Sequence, residues 1–288
     1  MNNIHSFSVG AFTCILFRDL LFEYQAEHYF LDVEESLIAQ SLKTFQQSPT
    51  LIKSPFVSLL LQNGEQSILI DTGVGFNKRP LVFQGREVDF CGKLFRIFNE
   101  MDLDSNSITH VVLTHFHPDH IGGICDEHGN IQFPNAQFIA HTDEWDFWNG
   151  SEAETLPPLF NQFITDNILP LSGANLHLMS EKEAQILPGI HAIQIPGHTP
   201  GQIALRIESQ GEKLLFISDA WLHPLHIEHL DWRTSYDMYH EEAKQSRIKL
   251  LELAYAEDML VQSFHFDFPG LGRVDRTTGG WNWISEKL

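Results

Sequence analysis

Short apolar runs alternate with longer amphipathic stretches along this chain. Seven runs of six to eight residues, rich in Val, Ile, Leu and Phe, predict β-strands. They cover residues 56–62, 66–73, 109–115, 136–141, 189–195, 202–207 and 213–220. Apolar residues at helical spacing predict helices over residues 35–46 and 239–256. Strands mixed with helices throughout predict an α/β layered architecture. Because no Pro/Gly/Ser-rich linker interrupts the pattern, we expect a single domain.

The composition narrows the class of protein. The chain has 288 residues, of which 43% are hydrophobic, enough for one well-buried core. The first residues lack the features of a signal peptide, and no apolar run approaches the ~18 residues that a membrane helix needs. The three cysteines are scattered, which is typical of a reducing compartment. We therefore expect a cytoplasmic protein with no membrane partner. The apolar segment at residues 20–24 suits a homodimer contact.

Charge excludes a further class of partner. The 18 basic residues face 38 acidic ones, so the formal net charge is −20 with histidine neutral. Such a surplus repels nucleic acid, and no basic run overrides it locally. A small-molecule substrate is the expectation. The sixteen histidines are the unusual part of the composition.

Five polar residues cluster in the stretch THFHPDHIGG, residues 114–123. Alternation at the end of a strand puts His115 and His117 on the same side. The proline that follows suits the first turn of a helix, from which Asp119 and His120 project next to each other. A strand-to-helix corner of this kind can present one ligand pair, His115 and His117, and a second pair, Asp119 and His120.

Two pairs cannot complete two metal sites. Neutral imidazole and carboxylate suit zinc, iron or manganese, and zinc usually needs about four filled positions. Three downstream residues stand at predicted strand ends: His198 in IPGHTPG, Asp219 after an apolar run, and His265 in SFHFDFPG. A buried carboxylate such as Asp219 is costly unless it is paired or bound to metal. The sequence therefore predicts that distant segments complete the site.

The order of these landmarks resembles the metallo-β-lactamase-fold superfamily of metal-dependent hydrolases. ILIDTG, THFHPDHIGG, PGHTPG, SDA and SFHFDFPG succeed one another over the chain from about residue 56 to 270. The resemblance implies a four-layer αββα sandwich of two mixed β-sheets with outer helices, with the site at one edge. Residues 1–288 would then form one domain of this fold, with residues 1–55 an N-terminal extension that packs on it.

The resemblance also implies a ligand set for two divalent metal ions, zinc being expected and iron or manganese remaining open. One ion would take His115, His117 and His198. The other would take Asp119, His120 and His265, with Asp219 bridging both ions. Asp71 of IDTG matches a residue that supports the site by hydrogen bonding to a ligand histidine.

Two cations that share one water lower its pKa and polarise the bond under attack. The nucleophile would be a metal-bridging hydroxide, and Asp119 could steer it or carry a proton. We expect His223 to face the substrate and stabilise a developing oxyanion. His110, His141 and His191 are expected to be structural.

The substrate is limited more by exclusion than by assignment. The GHTPGQ run, with Gln202 in its last place, differs from the GHTPGH of glyoxalase II-like thioesterases. Many periplasmic β-lactamases carry cysteine where this chain has Asp219. The chain most resembles the branch of N-acyl homoserine lactonases and methyl parathion hydrolase-like enzymes, although Leu222 stands where quorum-quenching lactonases commonly carry tyrosine. We expect a small-molecule ester-type hydrolase, with lactone, carboxyl ester and phosphotriester all open.

Two other classes of function share these features. One is a mononuclear-iron enzyme of redox or sulfur chemistry on the same fold. The other is a non-catalytic metal-binding sensor. Metal content and the response to a panel of esters distinguish both from a dinuclear hydrolase.

Overall fold

The computed structural model describes residues 3–76, 81–83, 85–88 and 90–286. The strands are, in chain order, β1 (Ile4–Val9), β2 (Phe12–Gln25), β3 (Leu51–Gln62), β4 (Ser67–Ile70), β5 (Leu81–Phe83), β6 (Arg86–Val88), β7 (His110–Val112), β8 (Gln137–His141), β9 (Leu176–Met179), β10 (Glu183–Leu187), β11 (Ile190–Gln194), β12 (Ile203–Ser209), β13 (Glu212–Phe216), β14 (Leu260–Gln262), β15 (Leu271–Thr277) and β16 (Gly280–Ser285). The α-helices are α1 (Ala26–Tyr29), α2 (Glu35–Thr44), α3 (Leu94–Glu100), α4 (Pro118–Ile121), α5 (Thr142–Trp148), α6 (Pro158–Phe163), α7 (Leu225–Glu228) and α8 (His240–Ala256).

The chain folds as two compact units. The first comprises residues 1–20 and 56–181, and the second comprises residues 21–55 and 182–288. None of the helices formed by the described residues combines the length and the apolar character that a bilayer span requires. The prediction of one domain with an N-terminal extension at residues 1–55 stays a prediction.

Both large sheets are mixed, as the sequence predicts. The first has the strand order β1-β2-β3-β4-β7-β8-β9, and its parallel pairs are β4/β7, β7/β8 and β8/β9. The second has the order β10-β11-β12-β13-β14-β15-β16, and among its pairs β13/β14 is parallel. Strands β5 and β6 form a separate two-stranded ribbon, which lies between β4 and β7 along the chain.

The central strands of the first sheet place two motifs side by side. All four residues of β4 are buried, and Val111 and Val112 of β7 are fully buried, which is typical of parallel strands covered on both faces. Because β4 and β7 are parallel neighbours, their carboxyl ends meet at one edge. The IDTG loop after β4 and the THFH loop after β7 therefore lie together.

In the second unit, helix α8 supplies the centre of the core. Leu250, Leu251 and Ala254 share an apolar cluster with Leu215 of β13 and Val261 of β14. The same strands end just before Asp219 and His265. Packing against α8 therefore fixes the level at which these two side chains leave the sheet.

The seven predicted strands and the two predicted helices are confirmed, with shifts of one to three residues at most of their ends. The helix predicted over residues 35–46 is Glu35–Thr44, and the one over 239–256 is His240–Ala256. The long strand β2 was not predicted, because Arg18 and Asp19 interrupt its apolar run. In the structure the Asp19 carboxylate accepts backbone hydrogen bonds, so the strand continues through this residue.

Asp19 is a fully buried carboxylate within β2. Its Oδ2 accepts from the backbone N–H of Val74 at 2.8 Å, and its Oδ1 accepts from Lys93 at 2.6 Å and Leu94 at 2.7 Å. Burial raises the pKa of the Asp19 carboxyl, and the three backbone hydrogen bonds oppose that rise. Asp19 therefore joins the start of α3 to the loop that follows IDTG.

Replacing this carboxylate should destabilise the protein. Asp19→Ala leaves three buried N–H groups without an acceptor, and each such group costs about 1–3 kcal/mol. We expect the free energy of unfolding to fall by at least ~2 kcal/mol in urea titrations. The control Asp146→Ala, at an exposed position of α5, should change it by less than ~0.5 kcal/mol. Equal stabilities of the two variants would contradict the role given to Asp19.

Candidate metal centre

The first unit gathers four of the predicted ligands on the corner between β7 and α4. His115 Nε2 lies 3.1 Å from His117 Nδ1, and the His115 and His120 ring centroids are 4.0 Å apart. Asp119 Oδ2 lies 3.8 Å from His120 Nε2. Two imidazole nitrogens directed at each other at this separation are what two ligands of one cation present. His115 thus lies beside His117 and Asp119 beside His120, and their assignment as two ligand pairs stays a prediction.

Asp71 fixes the orientation of His120. Its Oδ2 lies 2.8 Å from His120 Nδ1 and also accepts from the Thr114 hydroxyl at 2.8 Å, while its Oδ1 accepts from the Thr114 N–H at 2.8 Å. Burial raises the pKa of the Asp71 carboxyl, and His120 and Thr114 oppose that rise. A proton on Nδ1 leaves Nε2 as the nitrogen able to bind metal, which is the usual arrangement behind a metal-binding histidine. Asp71 adopts φ 57°, a backbone conformation that is uncommon outside glycine and often marks a functional constraint.

Close backbone packing holds the two loops together. The Thr72 N–H donates to the His120 carbonyl at 2.7 Å. A Cβ at Gly122 would lie 2.1 Å from the Val74 carbonyl oxygen, so only glycine fits there. The glycines of HIGG thus let the ligand corner approach the IDTG loop.

Glu144 is a buried carboxylate that sequence reasoning missed. It accepts from the Phe116 N–H at 2.8 Å and from the Trp148 indole N–H at 2.6 Å. Phe116 separates His115 from His117, so Glu144 anchors the backbone between these two ligands. The only sequence signal is its position four residues before Trp148 on one helix face.

The second unit gathers the other three predicted ligands. His198 follows β11, Asp219 follows β13 and His265 follows β14. Asp219 Oδ2 lies 3.0 Å from His265 Nε2 and 3.4 Å from His198 Nε2. All three residues are buried. One oxygen of Asp219 therefore faces two imidazole nitrogens, and its bridging role stays a prediction.

Acceptors behind both histidines turn Nε2 toward Asp219. His265 Nδ1 lies 2.8 Å from Ser54 Oγ and 3.2 Å from the Pro55 carbonyl, which can only accept. His198 Nδ1 lies 3.1 Å from Asp237 Oδ1. Sequence reasoning missed Ser54 and Asp237, since neither belongs to a motif. In each unit the imidazole and carboxylate side chains are of the kind that a divalent cation such as zinc, iron or manganese takes as ligands. Nδ1 is held from behind in His120, His198 and His265, which leaves their Nε2 atoms for the metal.

His223 lies in the second unit and is held at both ring nitrogens. Nε2 lies 3.0 Å from Gln47 Oε1, and Nδ1 accepts from the Leu225 N–H at 3.2 Å. Burial lowers the pKa of His223 to about 3, so the ring is neutral at physiological pH with its proton on Nε2. His223 and His265 line a cavity of about 320 Å³. Its other walls include Phe45, Gln47, Lys53, Phe266, Asp267, Phe268 and Trp283.

The histidines expected to be structural occupy other positions. His141 caps α5, its Nδ1 accepting from the Asp143 N–H at 3.1 Å. His110 Nδ1 lies 2.9 Å from the Thr109 hydroxyl. His191 lies opposite Arg206 in the register of β11 and β12.

Comparison with known proteins places this chain in a family. The family model of the metallo-beta-lactamase superfamily matches residues 56–261. An N-acyl homoserine lactonase of Bacillus sp is 26% identical over 208 residues, which cover 67% of this chain and 75% of the relative. N-acyl homoserine lactonase AiiB of Rhizobium rhizogenes is 30% identical over 208 residues, which cover 65% of this chain and 72% of the relative.

Two solved structures share the fold over almost the whole chain. One is AidC, a dizinc quorum-quenching lactonase in complex with a product, with a TM-score of 0.85, 23% identity and coverage of 99% of this chain and 98% of that one. The other is the hydrolase AbOPH in the beta lactamase superfamily, with a TM-score of 0.85, 22% identity and coverage of 100% and 99%. At these identities the likeness shows the fold, and it confirms the predicted fold class.

Asp71 should control metal affinity through His120. In Asp71→Asn an amide replaces the carboxylate acceptor, and loss of such a partner typically costs 10–100-fold in metal affinity. We expect a decrease in that range for Zn²⁺, measured by competition with a chromophoric chelator. Asp102→Asn is the matched control, because Asp102 is exposed and has the similar φ of 54°. Unchanged affinity in Asp71→Asn would show that Asp71 does not support a metal ligand.

Proposed function

This chain belongs to the metallo-beta-lactamase superfamily and is a metal-dependent hydrolase of ester-type bonds, and we propose that it hydrolyses a small lactone. The relatives that bear the name N-acyl homoserine lactonase support this choice among the ester-type substrates. Carboxyl esters and phosphotriesters are the other bonds that such a site can cleave. Fold alone does not select among them.

We propose that the seven predicted ligands hold two divalent ions. His115, His117 and His198 would hold one ion, and Asp119, His120 and His265 would hold the other. Asp219 would be shared. The observation that carries this proposal is the single Asp219 oxygen that faces both His198 Nε2 and His265 Nε2, since these histidines belong to different ligand sets.

When bound, two such ions supply a water of lowered pKa and polarise the bond under attack. The chain itself must move protons and hold the substrate. Asp119 is suited to the first task, because its side chain is 13% exposed and thus the carboxylate is reachable from solvent. We propose that it takes up a proton on its carboxylate during attack and returns it to the leaving oxygen.

We propose that His223 holds the substrate by a hydrogen bond from its neutral ring. Its Nε2–H now donates to Gln47, and a substrate oxygen in the adjoining cavity could replace the Gln47 amide as acceptor. The cavity of about 320 Å³ falls within the usual range for small-ligand pockets. A neutral donor stabilises developing negative charge without itself needing a counter-charge.

We further propose zinc as the metal, a cytoplasmic location and a homodimer that uses residues 20–24. The three cysteines are all free, which supports a reducing compartment. The net charge of −20 supports a protein that binds neither nucleic acid nor anionic membrane. We also propose that both units belong to one domain, since the family match runs through both.

Removing the shared carboxylate tests the proposed centre. Asp219→Ala should abolish retention of two ions and reduce hydrolysis at least ~10³-fold, because both ions lose a ligand. The measurements are metal quantification per chain and rates on a panel with a long-chain lactone, an aryl ester and a phosphotriester. His191→Ala, on strand β11 away from the ligands, should match the wild type.

Three outcomes would contradict the proposal. Full metal content and rate in Asp219→Ala would remove the bridging role. One iron per wild-type chain without ester hydrolysis would favour the redox class. Metal-loaded wild type that is inert on the whole panel would favour a sensor.

His223 should affect turnover without affecting metal content. Loss of one oxyanion donor typically costs 10²–10³ in kcat, so His223→Gln, which keeps an N–H donor, should retain more activity than His223→Ala. Steady-state kinetics with parallel metal quantification measure this difference. The control is His229→Ala, because His229 is exposed and its ring stacks on Trp232. If His223→Ala kept the wild-type kcat, the substrate-facing role would be wrong.

A further inference from the structure

Arg247 is a buried cation in the middle of α8. Arg247 is 2% exposed. Burying a guanidinium is costly unless it is paired and hydrogen-bonded. Burial lowers the pKa of Arg247 and the neighbouring Asp237 carboxylate opposes that effect. Arginine remains charged even so. A buried charge of this kind must therefore have partners that offset the cost of its burial.

The guanidinium joins three backbone carbonyls and one carboxylate of the second unit. Its Nε donates to the Ala220 carbonyl at 3.1 Å, and its Nη1 donates to the carbonyls of His226 at 3.4 Å and Trp232 at 3.5 Å. Its Nη2 lies 3.6 Å from Asp237 Oδ2. Arg247 therefore bonds on one side to the carbonyl of Ala220, the residue after Asp219, and lies on the other side beside an acidic side chain.

That acidic side chain reaches the second ligand. The other oxygen of Asp237, Oδ1, lies 3.1 Å from His198 Nδ1, while His198 Nε2 lies 3.4 Å from Asp219 Oδ2. The His198 ring is thus held between two carboxylates. Arg247 acts on both of them, directly on Asp237 and through the Ala220 carbonyl on the backbone of Asp219.

Two further contacts limit how these segments can shift. Gln202, with its amide oxygen turned to the loop, accepts from the N–H groups of Asp219 at 3.0 Å and Ala220 at 3.2 Å. Residue Ala220 is therefore held at its N–H by Gln202 and at its carbonyl by Arg247.

The loop that carries His198 lies against the start of α8, the helix of Arg247. A Cβ at Gly197 would lie 2.0 Å from the Ala243 nitrogen, and the Met238 N–H donates to the His198 carbonyl at 3.2 Å. Ser246 Oγ also donates to the Pro196 carbonyl at 2.7 Å. The helix that supplies Arg247 thus also seats the His198 loop.

We propose that Asp237 and Arg247 are positioning residues that keep His198 and Asp219 in register for metal binding. Asp237 selects the His198 tautomer with Nε2 available, and Arg247 holds Asp237 and the Asp219 backbone at a constant separation. The inference rests on the proposed function, because it assumes that His198 and Asp219 are metal ligands. It adds that α8 determines the affinity for the ion held by His198.

The test measures metal affinity in purified full-length protein. Asp237→Asn keeps the shape of the side chain but removes its charge, and we expect one of two Zn²⁺ ions to bind 10–100-fold more weakly in chelator competition. Arg247→Lys keeps the charge but not the fork of donors, and should lower the affinity for the same ion by a smaller factor. The visible absorption spectrum of Co²⁺-loaded protein should change in both variants, since it reports ligand geometry directly.

Arg206→Lys is the control. Arg206 lies on β12 of the same unit and forms ion pairs with Glu208 and Glu257. This variant should therefore keep wild-type metal affinity and the wild-type Co²⁺ spectrum. Circular dichroism must show that Asp237→Asn is folded. If Arg247→Lys does not fold, the folded Asp237→Asn still decides the matter.

The outcomes separate this inference from the proposed function. Wild type that binds two ions, together with Asp237→Asn and Arg247→Lys that bind both ions equally well, would overturn the positioning role alone. Wild type that binds no metal would overturn both proposals. A weakened single ion in Asp237→Asn, with unchanged affinity in Arg206→Lys, is the result we expect.

Discussion

An imidazole has two nitrogens, and the orientation of the candidate ligands depends on which nitrogen is hydrogen-bonded to the protein. Asp71 faces Nδ1 of His120, Asp237 faces Nδ1 of His198, and Ser54 with the Pro55 carbonyl faces Nδ1 of His265. In each case Nε2 is the nitrogen directed toward a predicted ligand carboxylate, Asp119 or Asp219. The acceptors thereby decide the tautomer before any cation arrives. Such preorganisation is what the proposed metal ligands require.

The acceptors are themselves buried, so each must be stabilised in turn. Asp71 accepts from the Thr114 N–H and hydroxyl, and Asp237 lies beside the Arg247 guanidinium. Glu144 and Asp19 follow the same rule with backbone N–H donors. A buried carboxylate without such donors would be driven to its neutral form. Because burying charge is costly, each of these candidate ligands depends on an acceptor. Each buried acceptor depends in turn on the element that carries its donors.

The same reasoning bears on substrate chemistry. Within the second unit, His223 is neutral, donates to Gln47 and lines a cavity with aromatic walls. A hydrolase of esters needs charge stabilisation at the reacting oxygen and an apolar pocket for the remainder of the molecule. Leu222 is buried and its side chain has no proton to donate, so the proton donor must be sought elsewhere in this chain. Asp119 is the group proposed for that task.

The sequence by itself determined the ligand types and the strands that carry them. HxHxDH, PGH, SDA and SFH are local patterns, and a residue at a strand end keeps its chemistry wherever the strand is placed. These patterns predict seven candidate ligands, which are His115, His117, Asp119, His120, His198, Asp219 and His265. Asp71 was predicted because IDTG is also a local pattern. Asp237, Arg247, Ser54 and Glu144 could not be predicted, because their partners lie between 4 and 211 residues away in the chain and no motif records them. Only the tertiary structure decides which polar residue stands behind each ligand, since that choice depends on how the strand ends and α8 pack.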